Sequence, residues 1–185
     1  MALFADGTTV HGADLNGNLP VLLASSVLGA SAASIPLAIP AGFNRIKLYW
    51  RARGDNAATA IQLYLRINGD SANDYLWEVN QANNTAVAAT TSGAATAQIQ
   101  IATVPAAGAT ALYFGSGEST VDGASDTTNY KTVTGMGSGF VATTNMYAGI
   151  YSGQWLSAAA ITSLAIFAAT GNLVAGSSAS AYGLM

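Results

Sequence analysis

An all-β fold, a single antiparallel β-sandwich of jelly-roll type, is what this sequence predicts. Apolar and polar residues alternate with period two in many short runs, and Gly, Asn, Asp and Ser clusters separate nearly all of those runs. No stretch has a convincing helical periodicity. At 185 residues the chain is about one domain long. A domain of that size buries roughly 70% of the surface its unfolded chain exposes, enough for a self-sufficient core.

Taken in order, residues 1–20 are rich in turn formers, with Asp6-Gly7, Asn16-Gly17 and Pro20, and read as an extended N-terminal arm ahead of a sandwich domain at 21–185. Residues 44–53 form the most legible strand. Ile46, Leu48, Trp50 and Ala52 share one face, while Arg45, Lys47, Tyr49, Arg51 and Arg53 share the other. That outer face holds four of the six basic residues, and cross-strand acidic partners are expected for it in preference to an anion site. Residues 60–67 alternate in the same way, end at an Asn68-Gly69 turn, and are expected to pair with the strand before them. Further strands are expected at 75–79, 98–104, 110–115, 130–134, 146–151, 161–168 and 178–184. The polar stretches 82–96 and 116–129 read as loops.

Charged residues make up 8% of the chain, against roughly 25% in ordinary domains. With 51% apolar residues and a net charge of −3, this is not the composition of a disordered chain. It is that of a folded chain with a neutral polar surface, which packs against partners with little desolvation of ions. A pI near 4.7 and only six Lys or Arg argue against nucleic acid. The absence of cysteine removes disulfides, thiol nucleophiles and cysteine metal sites. Residues 1–6 lack the pattern of a secretory signal. The charge-free stretches 15–44 and 132–185 are broken by Pro and Gly, so no membrane span is expected; the second is the expected contact surface.

Chemistry is sparse. The one histidine, His11, sits in the glycine-rich N-terminal segment, which disfavours triad catalysis and a zinc site. Asp70, Asp74, Glu78, Glu118, Asp122 and Asp126 name no glycosidase pair by their spacing. A calcium loop at 118–126 lacks the dense Asp-x-Asp-x-Asp-Gly pattern, and turn capping is the expected role. Gly135-Met136-Gly137-Ser138-Gly139 reads as a flexible turn, Arg53-Gly54-Asp55 as the end of a strand, and the sequon at 83–85 as inconsequential. No enzyme activity and no cofactor are expected. The candidate contact residues are aromatic or in the arm: Trp155 first, in a glycine-containing polar stretch, then Phe4, His11, Tyr151 and Tyr182, with packing of Trp155 inside its own domain as the other reading.

The run Phe43-Asn-Arg-Ile-Lys-Leu-Tyr-Trp-Arg-Ala-Arg-Gly-Asp55 resembles a recurrent segment of tailed-phage virion proteins. So do Leu63-Tyr-Leu-Arg-Ile-Asn-Gly-Asp70, Ile161-Thr-Ser-Leu-Ala-Ile-Phe167, Gly171-Asn-Leu-Val-Ala-Gly-Ser177 and the closing Ala181-Tyr-Gly-Leu184. Residues 1–20 and the middle loops have no counterpart, and Ala181 stands where such proteins often carry Leu. The resemblance implies a β-sandwich module on the outer surface of a virion. The leading expectation is a capsid decoration (cement) protein that binds the major capsid protein and associates with itself, as a trimer by analogy. The alternative is a tail or head-fibre module that binds a host-surface glycan or receptor.

Overall fold

The computed structural model describes residues 20–184 apart from 85 and 93, and every regular element among them is a β-strand. The N-terminal arm, with Phe4 and His11, lies outside the described residues but for Pro20. The first strands are β1 (Val21–Val27), β2 (Ser34–Ala38), β3 (Arg45–Ala52), β4 (Ala60–Ile67), β5 (Tyr75–Asn83) and β6 (Ala86–Thr91). They are followed by β7 (Ile99–Pro105), β8 (Gly115–Asp122), β9 (Lys131–Ala142), β10 (Asn145–Trp155), β11 (Ser163–Ala168) and β12 (Ser178–Leu184).

The order β1-β12-β3-β8 in one sheet and β2-β11-β4-β7 in the other is that of a jelly roll, in which the chain crosses between facing sheets. Two hairpins are added to this frame. β9–β10 and β5–β6 continue the first sheet past β8, giving an eight-stranded sheet in the order β1-β12-β3-β8-β9-β10-β5-β6. All pairings are antiparallel.

Period-two patterning sets which side chains enter the core. Ile46, Leu48, Trp50 and Ala52 from β3 meet Ile61, Leu63, Leu65 and Ile67 from β4, with Ile35, Leu37, Leu164 and Ile166 beside them. Each such Ile or Leu contributes about 1.5–3 kcal/mol relative to exposure. β7 is an edge strand of the small sheet yet buried along its whole length, because the added β9 and β10 pack over it. The Asn68-Gly69 turn after β4 is as expected, with both residues at positive φ (53° and 68°).

Several expectations are corrected. β3 and β4 are not neighbours: β3 pairs with β8 and β12, β4 with β7 and β11, and the two face each other across the core. Alternation tells which face is buried but not which strand lies alongside. The stretch 116–129 holds most of β8, an interior strand whose Ser, Thr and Glu side chains hid a ladder with β3 and β9. The stretch 82–96 holds β6. Residues 110–114 make a turn instead of a strand, with Leu112 at φ 70°. Gly135, Gly137 and Gly139 are interior residues of β9, not a turn.

Arg53 also departs from the outer face it was placed on. Its guanidinium turns in and donates to the carbonyls of Thr110, Tyr113 and Ala109 at 2.8–3.1 Å, which pins the 109–113 turn. Two of the basic residues of β3 find the cross-strand acids expected of them, Arg45 with Asp122 and Lys47 with Glu118, while Arg51 finds none. No helix among the described residues is long and apolar enough to cross a membrane.

Candidate interaction surface

The two added hairpins build a surface that the jelly-roll frame alone would not have. Ladder register places Tyr49, Glu118, Met136, Ile150, Asn80 and Ala89 in one row across β3, β8, β9, β10, β5 and β6. A second row runs through Arg51, Ser116, Ser138, Ala148, Ala82 and Val87. Both rows face away from the core. Between them is a row that faces inward: Trp50, Gly117, Gly137, Gly149.

That glycine row is dictated by Trp50. A Cβ on Gly117 would run into the indole, and one on Gly137 would sit 2.6 Å from it. With hydrogen in those positions, the backbones of β8 and β9 settle onto the ring, and the outer face dips. The dip is a groove of about 940 Å³ floored by Trp50, Gly117, Gly137 and Gly149, with Tyr49, Met136, Ile150 and Val87 around it. Val87 is 79% exposed, Ile150 65%, Met136 56% and Tyr49 47%. Phe140, further along β9, is half exposed too, and large apolar groups this open are a mark of contact surfaces.

Charge on this face is largely spoken for. Lys47 is held by Glu118 at the groove's margin, and Arg45 by Asp122. The Arg51 guanidinium lies 3.6 Å from the centre of the Phe114 ring and donates to the Gly176 carbonyl. What remains is a largely apolar, hydroxyl and amide surface, with the Glu78 carboxylate exposed on β5 beside Asn80.

The aromatic candidates do not come together in one site. Trp155 is 2% exposed, so the expected surface contact there is corrected: it ends β10, stacks on Tyr75 with ring centres 6.4 Å apart, and its indole N–H donates to Asp70 at 2.8 Å. Tyr151 is buried as well. Its hydroxyl accepts from the Thr103 N–H across the sandwich and bonds the Gln81 side chain, and burial raises its pKa above the ordinary tyrosine value. Tyr182 does reach the outer face, half-buried in a second shallow groove with Pro20, Lys47, Tyr49 and Leu184, its ring edge-on to Tyr49 at 5.8 Å.

The acidic candidates serve as structural ligands. The Asp126 carboxylate accepts from Asn129 and Thr128, side chain and backbone, which holds it well below the usual carboxylate range. Asp55 accepts from the Asn172 N–H and from Ser31, with the same direction of shift, so Arg53-Gly54-Asp55 is an extended continuation of β3, bridged at Gly54 to Leu173 and tied down by the Asp55 carboxylate. Among the described residues no three His, Cys, Asp or Glu side chains are grouped as metal ligands would be.

Sequence reasoning missed Met136, Ile150 and Val87. A signal for the first was present: in 132–140 Thr, Met, Ser and Phe alternate with Val and Gly, and the glycine positions are the inward ones. Met136, Phe140 and Ile150 do belong to the charge-free stretch 132–185 that was expected to supply contacts. Compared with protein-family models, with curated proteins and with solved structures, the chain matches none.

Proposed function

We propose that this chain is a non-enzymatic structural protein of a tailed-phage virion, a decoration protein that sits on the outer surface of the head, contacts the major capsid protein and stabilises the particle. The observation that carries the contact role is the outer face of the extended sheet, where Met136, Ile150, Val87 and Tyr49 lie open and the two charges at the groove's margin, Lys47 and Glu118, are paired with each other. A surface of this kind adheres by buried apolar area and is neither a steering field for ions nor a reaction centre. The phage reading comes from the sequence resemblance. Its segments fall on β3, β4, β11 and β12, strands of the jelly-roll frame, and not on the added hairpins. On this reading the frame is the shared module and the hairpins set where on the particle it binds.

The alternative, host-glycan binding by a tail or fibre module, was built on an exposed Trp155, and that indole is buried. Cryo-EM of intact virions tests the proposal: density tiling the head lattice supports decoration, while density only at tail or fibre tips refutes it. A protein with Met136→Lys and Ile150→Lys should bind stripped heads at least tenfold more weakly while its unfolding free energy stays within about 1 kcal/mol of the original, about 0.5 kcal/mol for each surface substitution.

A further inference from the structure

We infer that the outer edge of β6 at Val87, Ala88 and Ala89 is where two copies of this chain join, strand to strand, about a two-fold axis passing between their Ala88 residues. β6 is exposed at all six of its residues. It is the last strand of the eight-stranded sheet, paired on one side with β5, which is itself paired along its whole length with β10.

The other lateral strands are guarded. β2 carries Pro36, β1 has a bulge between Leu22 and Ala24 and packs on β2, and β7 lies under β9 and β10. β6 reads Ala-Val-Ala-Ala-Thr-Thr, with no charge, no proline and no register shift against β5. An uncharged, regular, open edge is a template for another strand.

The ladder specifies how that strand would lie. The Ser92 N–H donates to the Trp77 carbonyl at 2.8 Å, and in an antiparallel pair the backbone groups facing the neighbour alternate residue by residue. The backbone of Ala88 therefore faces β5, while N–H and C=O of Val87 and Ala89 face away. Antiparallel pairing of two β6 edges satisfies these groups when Val87 of each copy meets Ala89 of the other. Ala88 then stands opposite its own symmetry mate in a non-hydrogen-bonded pair, where Cα atoms approach to about 4.5 Å and a methyl group fits.

Charge selects the occupant. A two-fold contact sets a residue on the axis against itself, so any charge there is repelled, whereas a different partner is free to complement one. β6 has none to complement. Two six-residue edges make a contact smaller than the roughly 1,200–2,000 Å² of a standard interface, so a weak, concentration-dependent association is expected.

This inference does not rest on the virion reading: a chain that pairs through β6 and is missing from virions would sink that reading and leave the pair standing. The test is sedimentation equilibrium of the full chain across the micromolar range. The expected mass rises to twice that of the 18.6 kDa chain. Ala88→Lys and Ala88→Glu should each be monomeric, with unchanged circular dichroism, and an equal mixture of the two should recover the doubled mass. A wild-type protein that stays monomeric or sediments as a trimer overturns the inference. So does a lysine variant that still pairs, or a mixture that does not. A monomer whose Val87 and Ala89 amides are protected from hydrogen exchange would assign the edge to another part of the same chain and overturn it equally.

Discussion

Replacing Lys131 by Met removes an ammonium that the fold has wrapped in carbonyl oxygens. Lys131 is wholly buried at the start of β9. Its Nζ donates to the backbone carbonyls of Asp126 at 2.6 Å, Asn129 at 2.7 Å and Ala158 at 3.2 Å. An ammonium has three hydrogens, and each finds one acceptor, so a single side chain ties the loop after β8 to the loop after β10. Methionine matches the length and volume and supplies no donor. Hydrogen bonds to a charged group are worth about 1.5–3 kcal/mol each, but these carbonyls lie in loops and partly recover water, so the expected loss is about 3–5 kcal/mol. For a domain of this size that lowers the thermal midpoint by about 6–20 °C. Urea and thermal unfolding followed by circular dichroism measure it, and amide exchange should accelerate at 125–130 and 156–160 before elsewhere. A loss under about 1 kcal/mol, with those loops still protected, would show that the carbonyls do not need the lysine and would refute the reasoning.

Gly137→Val puts a side chain against the Trp50 ring, where even a Cβ comes to 2.6 Å, so a destabilisation of about 3 kcal/mol or more is expected in denaturant melts, whereas Ser138→Val on the opposite face of the same strand should change little. Tyr75 is pushed up to about 12 by burial, with its hydroxyl bonded to the Ile67 backbone. The folded state therefore keeps a proton that the unfolded chain releases near pH 10, and stability falls as pH rises from about 10 to 12. Absorbance titration at alkaline pH should show Tyr75 and Tyr151 ionising above the ordinary tyrosine range, with Tyr75→Phe flattening the alkaline loss.

Strands with both faces well marked were legible. β3 and β4 could be read from Ile46-Leu48-Trp50 and Ile61-Leu63-Leu65 because one face is buried and the other carries long polar side chains. β8 was not, since Gly115, Gly117 and Ser119 occupy its inward positions beneath larger neighbours, and period two vanishes when the core face is made of small residues. β1 and β2 went unread for related reasons: burial along β1 does not alternate cleanly, and in β2, where it does, the exposed positions are Pro36 and Ala38, so no polar side chain marks them as open. At the candidate surface, the exposed Met136, Phe140 and Ile150 lie in the charge-free stretch 132–185, while Tyr49 and Val87 lie outside it. The choice of Trp155 failed because local polarity around an aromatic residue reveals nothing about a stack such as Tyr75 on Trp155, made by residues far apart in sequence.

The separateness of the added hairpins has a consequence for how such a protein changes over generations. Both hairpins leave and rejoin the frame on one flank, and the frame strands β1, β12 and β3 have no ladder with them. Substitution, lengthening or loss at the tips of β5–β6 and β9–β10 would alter what the outer face recognises while leaving the crossing strands undisturbed. Within each hairpin the two faces are then under different constraints: outward residues such as Met136 and Ile150 can vary, while inward ones such as Gly137, Tyr151 and Trp155 belong to the packing of the core.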